Sequence, residues 1–159
     1  PISGGPHDIA AGHVTLYVGG TDEGVARARP ALAAYGEPIL HLGPPGSGQL
    51  VKLVNNAVFA ANIGVVAQAV RLAGQLGLDE SAVFTGLQHG SGASRALGGV
   101  AASGSVAAFG HNVGEFVGKD VAVVRDVARE LGADLGVLAD THVVLGELLS
   151  PEHRAQLVG

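Results

Sequence analysis

The sequence predicts a mainly α protein in which an all-helical part follows a small piece of α/β sheet. Three observations carry that expectation. Strand-like alternation is confined to the first 43 residues. From Gln49 onward the apolar residues recur at helical spacing. Between the two patterns lies one long apolar stretch, from Gln49 to about Leu76, that joins them as a central helix.

The elements follow in order. Pro1-Ile2-Ser3-Gly4-Gly5 reads as a strand end meeting a tight turn. From His13 to Val18 the chain alternates, with Val14, Leu16 and Val18 on one face, as in a half-buried strand. Thr21 is suited to cap a helix whose first turn holds Asp22 and Glu23, where the dipole favours acids. That helix is expected to reach Tyr35, with a break or kink at Pro30, and to stop at Gly36. Pro38 to Leu42 is a second short strand. Beyond the central helix, Asp79 caps a helix to about Gln88, and a short one is expected around Ala93 to Val100. Val113 to Leu131 has helical period and ends at Gly132; Leu135 to Leu149 forms another helix. Ser150-Pro151-Glu152 reads as a cap with proline at the first helical position.

Composition narrows the function classes. Apolar residues make up 47%, ample for a core, while charged residues are only 14%. A net charge of −5 leaves no basic surface for nucleic acid. The absence of cysteine rules out disulfides and thiolate metal sites. The seven histidines form no HExxH or paired motif, so no metal is expected, and His13 and His41 are read as strand residues facing solvent. The run Leu53 to Ala73 is long enough to cross a bilayer, yet it carries Asn55, Asn56, Asn62, Gln68 and Arg71, which a membrane penalises. A buried helix, apolar all round, is the expectation.

The informative stretch is Gly46 to Asn56, where a glycine turn runs into the long helix. Gln49, Lys52 and Asn56, three and four residues apart, are expected to share a polar stripe. Only two of the nine basic residues are lysines, Lys52 and Lys119. Unlike arginine, lysine can be brought to a neutral, proton-accepting form by its surroundings. A helix N-terminus and partial burial both favour that form at Lys52, which makes it a candidate general acid/base. The plainer alternative is a lysine laying its stem along a helix end. Gly43-Pro44-Pro45-Gly46-Ser47-Gly48 does not have the spacing of a dinucleotide turn, and no phosphate-loop motif is present.

Three stretches in order resemble a known family. They are Pro1-Ile2-Ser3-Gly4-Gly5 followed by Gly12-x-x-Thr15-Leu16-x-Val18-Gly19-Gly20, then Gly46-x-Gly48-x-x-x-Lys52-Leu53-x-Asn55-Asn56, then Lys119-Asp120. Together they resemble the β-hydroxyacid dehydrogenases, the family of 3-hydroxyisobutyrate dehydrogenase and tartronate semialdehyde reductase. The resemblance implies a helical domain of that family's type over residues 46–159, used for substrate binding and dimerisation. Residues 1–45 would be a remnant of a Rossmann-like nucleotide-binding sheet. It implies Lys52 as the catalytic acid/base, Ser3, Gly4 and Gly5 as the binders of the substrate carboxylate, Asn56 as a substrate-orienting residue, and Lys119 as a cofactor contact. The implied cofactor is NAD or NADP.

The implied partners are a small hydroxyacid and further copies of the chain, as a homodimer or higher oligomer, with neither nucleic acid nor membrane. A cytoplasmic location is expected. About two turns before Lys119-Asp120 several relatives carry an aromatic residue, whereas this chain reads Gly110-His111-Asn112-Val113 with Phe109 and Phe116 on either side, and His7-Asp8 after the glycine pair has no interpretation in the pattern. Two other readings stand beside this one. Imine reductases resemble the same plan but usually lack the lysine, and a module used only for dimerisation would need no catalytic residue. Because the chain starts at Pro1 and holds no methionine, it is expected to be truncated or processed, and inactive alone.

Overall fold

The computed structural model describes residues 1–148, and within them every side chain but those of Pro6 and His7. Ser150-Pro151-Glu152 and the predicted last residue of the final helix, Leu149, lie outside the described residues. The protein is mainly α with one three-stranded sheet, and it divides into two compact units, Pro1–Asn55 and a second that begins at Asn56.

In the first unit, β1 (Ile2–Ser3) pairs antiparallel with β2 (Thr15–Val18), which pairs in parallel with β3 (Ile39–His41). The alternation read from the sequence decides the core: Val14, Leu16 and Ile39 are buried, and Val18 and Leu32 pack on them. Leu32 comes from α2 (Asp22–Leu32), so this helix covers one face of the sheet. Thr21 caps α2, its hydroxyl accepting from the Gly24 N–H at 3.1 Å. The helix ends at Leu32, three residues short of the expected Tyr35. Pro30 lies within its last turn, and the chain then tightens through Ala34 N–H to Ala31 C=O and Tyr35 N–H to Leu32 C=O. The sequence reading did not foresee α1 (Pro6–Ala10), a short helix between β1 and β2.

The glycine turn before the central helix is built as its composition demands. Gly43 and Gly46 take φ of 122° and 98°, which side chains rarely tolerate, and α3 (Ser47–Gln75) starts directly after them. This 29-residue helix passes from the first unit into the second.

In the second unit, α3 is joined by α4 (Glu80–His89), α5 (Arg95–Ala102), α6 (Val106–Leu131) and α7 (Val137–Leu148). The core draws on Ile63 and Ala67 of α3, Leu97 and Val100 of α5, Val121 of α6 and Leu145 of α7. Asp79 stands at the N-cap of α4 but makes no side-chain cap bond. Ser94 caps α5 and Ser105 caps α6, accepting from Leu97 N–H at 3.1 Å and Ala108 N–H at 3.0 Å. The Glu80 carboxylate also accepts from Val106 N–H at 2.8 Å, which ties α4 to the start of α6. That capped start explains why α6 begins seven residues before the periodic run, through glycine-containing sequence. Gly132 closes it with a φ of 64°, and Ala133 N–H returns to Ala128 C=O at 2.8 Å.

The expectation that α3 is buried all round needs correction. Ala57, Ala60, Ala61, Ile63, Val66 and Ala67 are buried, but Val54 is 60% exposed and Leu72 55%, and Val58, Phe59 and Val65 are exposed as well. Small residues let one side of the helix pack closely. Period alone could not say which side, because large apolar residues occur on every side. By length and hydropathy α3 would also be able to cross a membrane, although part of it belongs to this core.

Candidate active site

Lys52 is positioned by the way the first turns of α3 meet β2. Gly48 is buried, and a Cβ there would lie 2.6 Å from the Tyr17 carbonyl oxygen. Gly19 is equally tight, since its Cβ would come within 2.6 Å of the Pro44 carbonyl oxygen and 3.0 Å of the Ser47 nitrogen. Only glycine at both places lets the helix start touch the strand end. His41 fastens the turn from outside. Its Nε2–H donates to the carbonyls of Gly20 at 2.8 Å and Gly43 at 3.2 Å, and its Nδ1 lies 3.5 Å from Asp22. His41 does sit on a strand, but its ring is engaged rather than simply facing solvent.

Seven residues after Gly48 on the same helical face, the Tyr17 hydroxyl reaches Asn55 Oδ1 at 3.4 Å. Lys52 lies between these contacts, four residues after Gly48 and three before Asn55, and is partly buried. The face turned to the strand is therefore Gly48, Lys52 and Asn55. Gln49, expected in the polar stripe, is exposed. Asn56 lies one turn beyond Lys52 on the same helix and is partly buried. Tyr17 went unrecognised in the sequence, where it reads as one more residue of an alternating strand.

The β1–β2 register brings Ser3 to the same side of the sheet. Ser3 pairs with Thr15, and directly opposed residues in an antiparallel pair project to one face. Thr15 and Tyr17, two apart, share that face, opposite the Leu16 side that α2 covers. So Ser3 and the strand-facing side of α3 meet one side of the sheet within the first unit. The Gly4-Gly5 turn that follows is not bare. Asp8 of α1 folds back over it and accepts from Gly5 N–H at 2.8 Å; a Cβ on Gly4 would lie 3.1 Å from Asp8 Cβ.

Lys119 belongs to the second unit. It is exposed on α6 between the buried Val117 and Val121, so it stands on the helix side turned from the core. The structure ties Ser3 and Asn55 to β2, with Lys52 three residues before Asn55 on α3, whereas Lys119 is carried by the helical unit. Among the described residues, no group of three or more His, Asp or Glu is placed to hold a metal.

Comparison with known proteins adds a second line. Residues 46–155 match the family model described as NAD-binding of NADP-dependent 3-hydroxyisobutyrate dehydrogenase. Residues 1–43 match the NAD binding domain of 6-phosphogluconate dehydrogenase. An uncharacterized oxidoreductase of Synechocystis is 36% identical over 131 residues, covering 81% of this chain and 45% of the relative. The 3-hydroxyisobutyrate dehydrogenase of Pseudomonas aeruginosa is 38% identical over 97 residues, 61% of this chain and 33% of the relative. The solved structure of the Mycobacterium tuberculosis 3-hydroxyisobutyrate dehydrogenase with L-serine superposes with a TM-score of 0.78 at 26% identity, covering 99% of this chain and 58% of that one. The chain thus spans less than half the length of the curated relatives it matches.

Proposed function

We infer, from the premise that this chain belongs to the β-hydroxyacid dehydrogenase family, that it carries the proton-transfer and substrate-binding part of an NAD(P)-dependent oxidoreductase. The reaction would interconvert a small 3-hydroxy acid and its semialdehyde. The observation that carries the reading is the Gly48–Lys52–Asn55 face, which sets a partly buried lysine against the strand that also orients Ser3.

In oxidation, neutral Lys52 accepts the hydroxyl proton at Nζ as the carbon–hydrogen bond gives up its hydride and the carbon–oxygen double bond forms. Nicotinamide, when bound, supplies the hydride acceptor. In reduction the Lys52 ammonium returns the proton to the nascent alkoxide. Asn56, one turn on, orients the reacting oxygen through its amide. Ser3, Gly4 and Gly5 receive the head of the substrate, and Lys119 contacts the cofactor. The exposed apolar faces of α3 support a homodimer or higher oligomer, and we place the protein in the cytoplasm. Light scattering that gives a monomer mass at micromolar concentration would refute the oligomer. Residues 1–159 alone are expected to show no turnover, which an NAD(P)H oxidation assay of the isolated chain checks.

The decisive test is Lys52→Ala in the full-length enzyme. Turnover should fall by about 10²- to 10⁴-fold, the usual range for a general acid/base, with cofactor affinity little changed. Near-normal turnover would refute the role. A module serving only dimerisation would lose nothing.

A further inference from the structure

We propose that His41 is a positioning residue for the proton transfer assigned to Lys52: its ring clamps the glycine turn to the end of β2 and so fixes where the first turns of α3, and Lys52 with them, stand. The inference rests on the proposed reading of Lys52 and adds to it the residue that aims the lysine.

Between β3 and α3 the chain runs through Gly43-Pro44-Pro45-Gly46. Gly43 and Gly46 stand at φ of 122° and 98°. Glycine permits such values but does not select them, because it populates many others as readily. Fixing a turn of this kind carries an entropic cost that contacts from outside the turn must offset. Gly20 and His41 supply those contacts. Gly20 N–H donates to the Gly43 carbonyl at 2.9 Å, and the His41 ring bridges the same two residues. Carbonyl oxygens only accept, so His41 Nε2 carries the proton that reaches Gly20 C=O at 2.8 Å and Gly43 C=O at 3.2 Å. Asp22, 3.5 Å from Nδ1, is fully exposed and adds little to the clamp.

Beside the clamped carbonyls, strand end and helix start are in backbone contact. A Cβ on Gly19 would lie 3.0 Å from the Ser47 nitrogen and 3.2 Å from the Gly48 nitrogen. Lys52 follows Gly48 by one turn of a long, continuous helix, so a shift of the helix start carries over to Lys52. A misplacement of about 1 Å at a reacting group can cost about 10²-fold in rate. His41 therefore acts on the reaction through the turn and the helix.

A clamp that only stabilised the fold would not single out Lys52, so a double-mutant cycle separates the two roles. The experiment uses the full-length enzyme and three hydroxymethyl acids as probes: 3-hydroxyisobutyrate, glycerate and L-serine. His41→Phe keeps a flat ring without the donor and should lower kcat about tenfold, with the cofactor KM unmoved. His41→Gln puts an amide nitrogen near the place of Nε2 and should come within about threefold of the parent. His41→Asn has the same amide one methylene shorter; it should behave as His41→Phe, and it stands in if the larger ring disturbs folding. In the Lys52→Ala background His41→Phe should change the residual kcat by less than about twofold, because no lysine is left to aim. Parent kcat in His41→Phe and His41→Asn, no recovery in His41→Gln, or the same fold-loss with and without Lys52 overturns this inference and spares the proposed function. Near-normal turnover of Lys52→Ala, or turnover of none of the three acids, overturns both.

Discussion

The two ends of α3 solve one packing problem and reach different results. Near its start, Gly48 lets the helix touch the Tyr17 carbonyl of β2. Farther along, Gly64 lets the same helix meet the Thr141 carbonyl of α7, where a Cβ would collide with the backbone oxygen. The first contact leaves polar groups half covered: Lys52, Asn55 and Asn56 are all partly buried. The second seals one in completely. His142, beside Thr141, has no exposed surface, and its Nε2–H donates to Ala57 C=O at 3.0 Å. Among the described residues its Nδ1 has no hydrogen-bond partner. Close approach through glycine therefore does not by itself mark a site. A half-covered titratable group can exchange protons with a ligand, while a sealed one contributes to folding instead.

The contrast can be broken at several points. The largest effect belongs to Lys52→Ala, which should cost about 10²- to 10⁴-fold in turnover and leave thermal unfolding unchanged. Gly64→Leu should do the reverse. A side chain driven into a backbone carbonyl forces two helices apart, so about 3 kcal/mol of stability should be lost, read by urea unfolding of the helical unit. Retention of the parent midpoint would remove the claim that this crossing is tight.

Gly48→Ala sharpens the comparison, because it should damage activity more than stability. Overpacking against Tyr17 costs about 1–3 kcal/mol, and the helix propensity of alanine offsets about 1 kcal/mol of that. The displaced helix start should lower turnover, since Lys52 lies one turn on. Unchanged kcat with full stability loss would show that the crossing positions nothing.

His142 should reveal itself through pH. Burial lowers its pKa from the ordinary value of 6.5; the Ala57 carbonyl acts in the opposite direction, and the nearby positive charge of Arg125 lowers it further. The unfolded chain therefore takes up the proton before the folded one. The stabilisation from keeping this ring neutral is complete above about pH 6.5 and is lost as pH falls toward the lowered folded value. The loss is about 1.4 kcal/mol for each unit separating the two pKa values. Urea midpoints measured across acid pH should show this slope, and His142→Phe should remove it, while the Ala57 carbonyl keeps its bond within α3. An identical slope in both proteins would assign the acid sensitivity elsewhere. The smallest expected effect is that of Tyr17→Phe. Losing one long hydrogen bond to Asn55 should cost about 0.5–1.5 kcal/mol or less, with a modest fall in kcat.

Much of the fold was legible because its signals are local. Alternation at Val14, Leu16 and Val18 identified a half-buried strand, Thr21 a cap and Gly132 a helix stop, each within a few residues of the feature it controls. The Gly46-to-Asn56 stretch announced both the turn and its helix. α1 was missed because five residues opening with proline and closed by Asp8 have too little period to read. The polar stripe expected of Gln49, Lys52 and Asn56 could not show which side of α3 meets the strand, because the residue in close contact with Tyr17 is Gly48, which has no side chain.

The sequence by itself determined the types and order of the elements other than α1, and it offered Lys52 as the candidate for proton transfer, since propensity, capping and period act over one or two turns of chain. Tertiary structure alone decided that Tyr17 meets Asn55, 38 residues away, that His142 is sealed against Ala57, 85 residues away, and which sides of α3 are covered. Those contacts depend on where the chain returns in space, and an apolar or polar residue carries the same local signal whichever neighbour it finally meets.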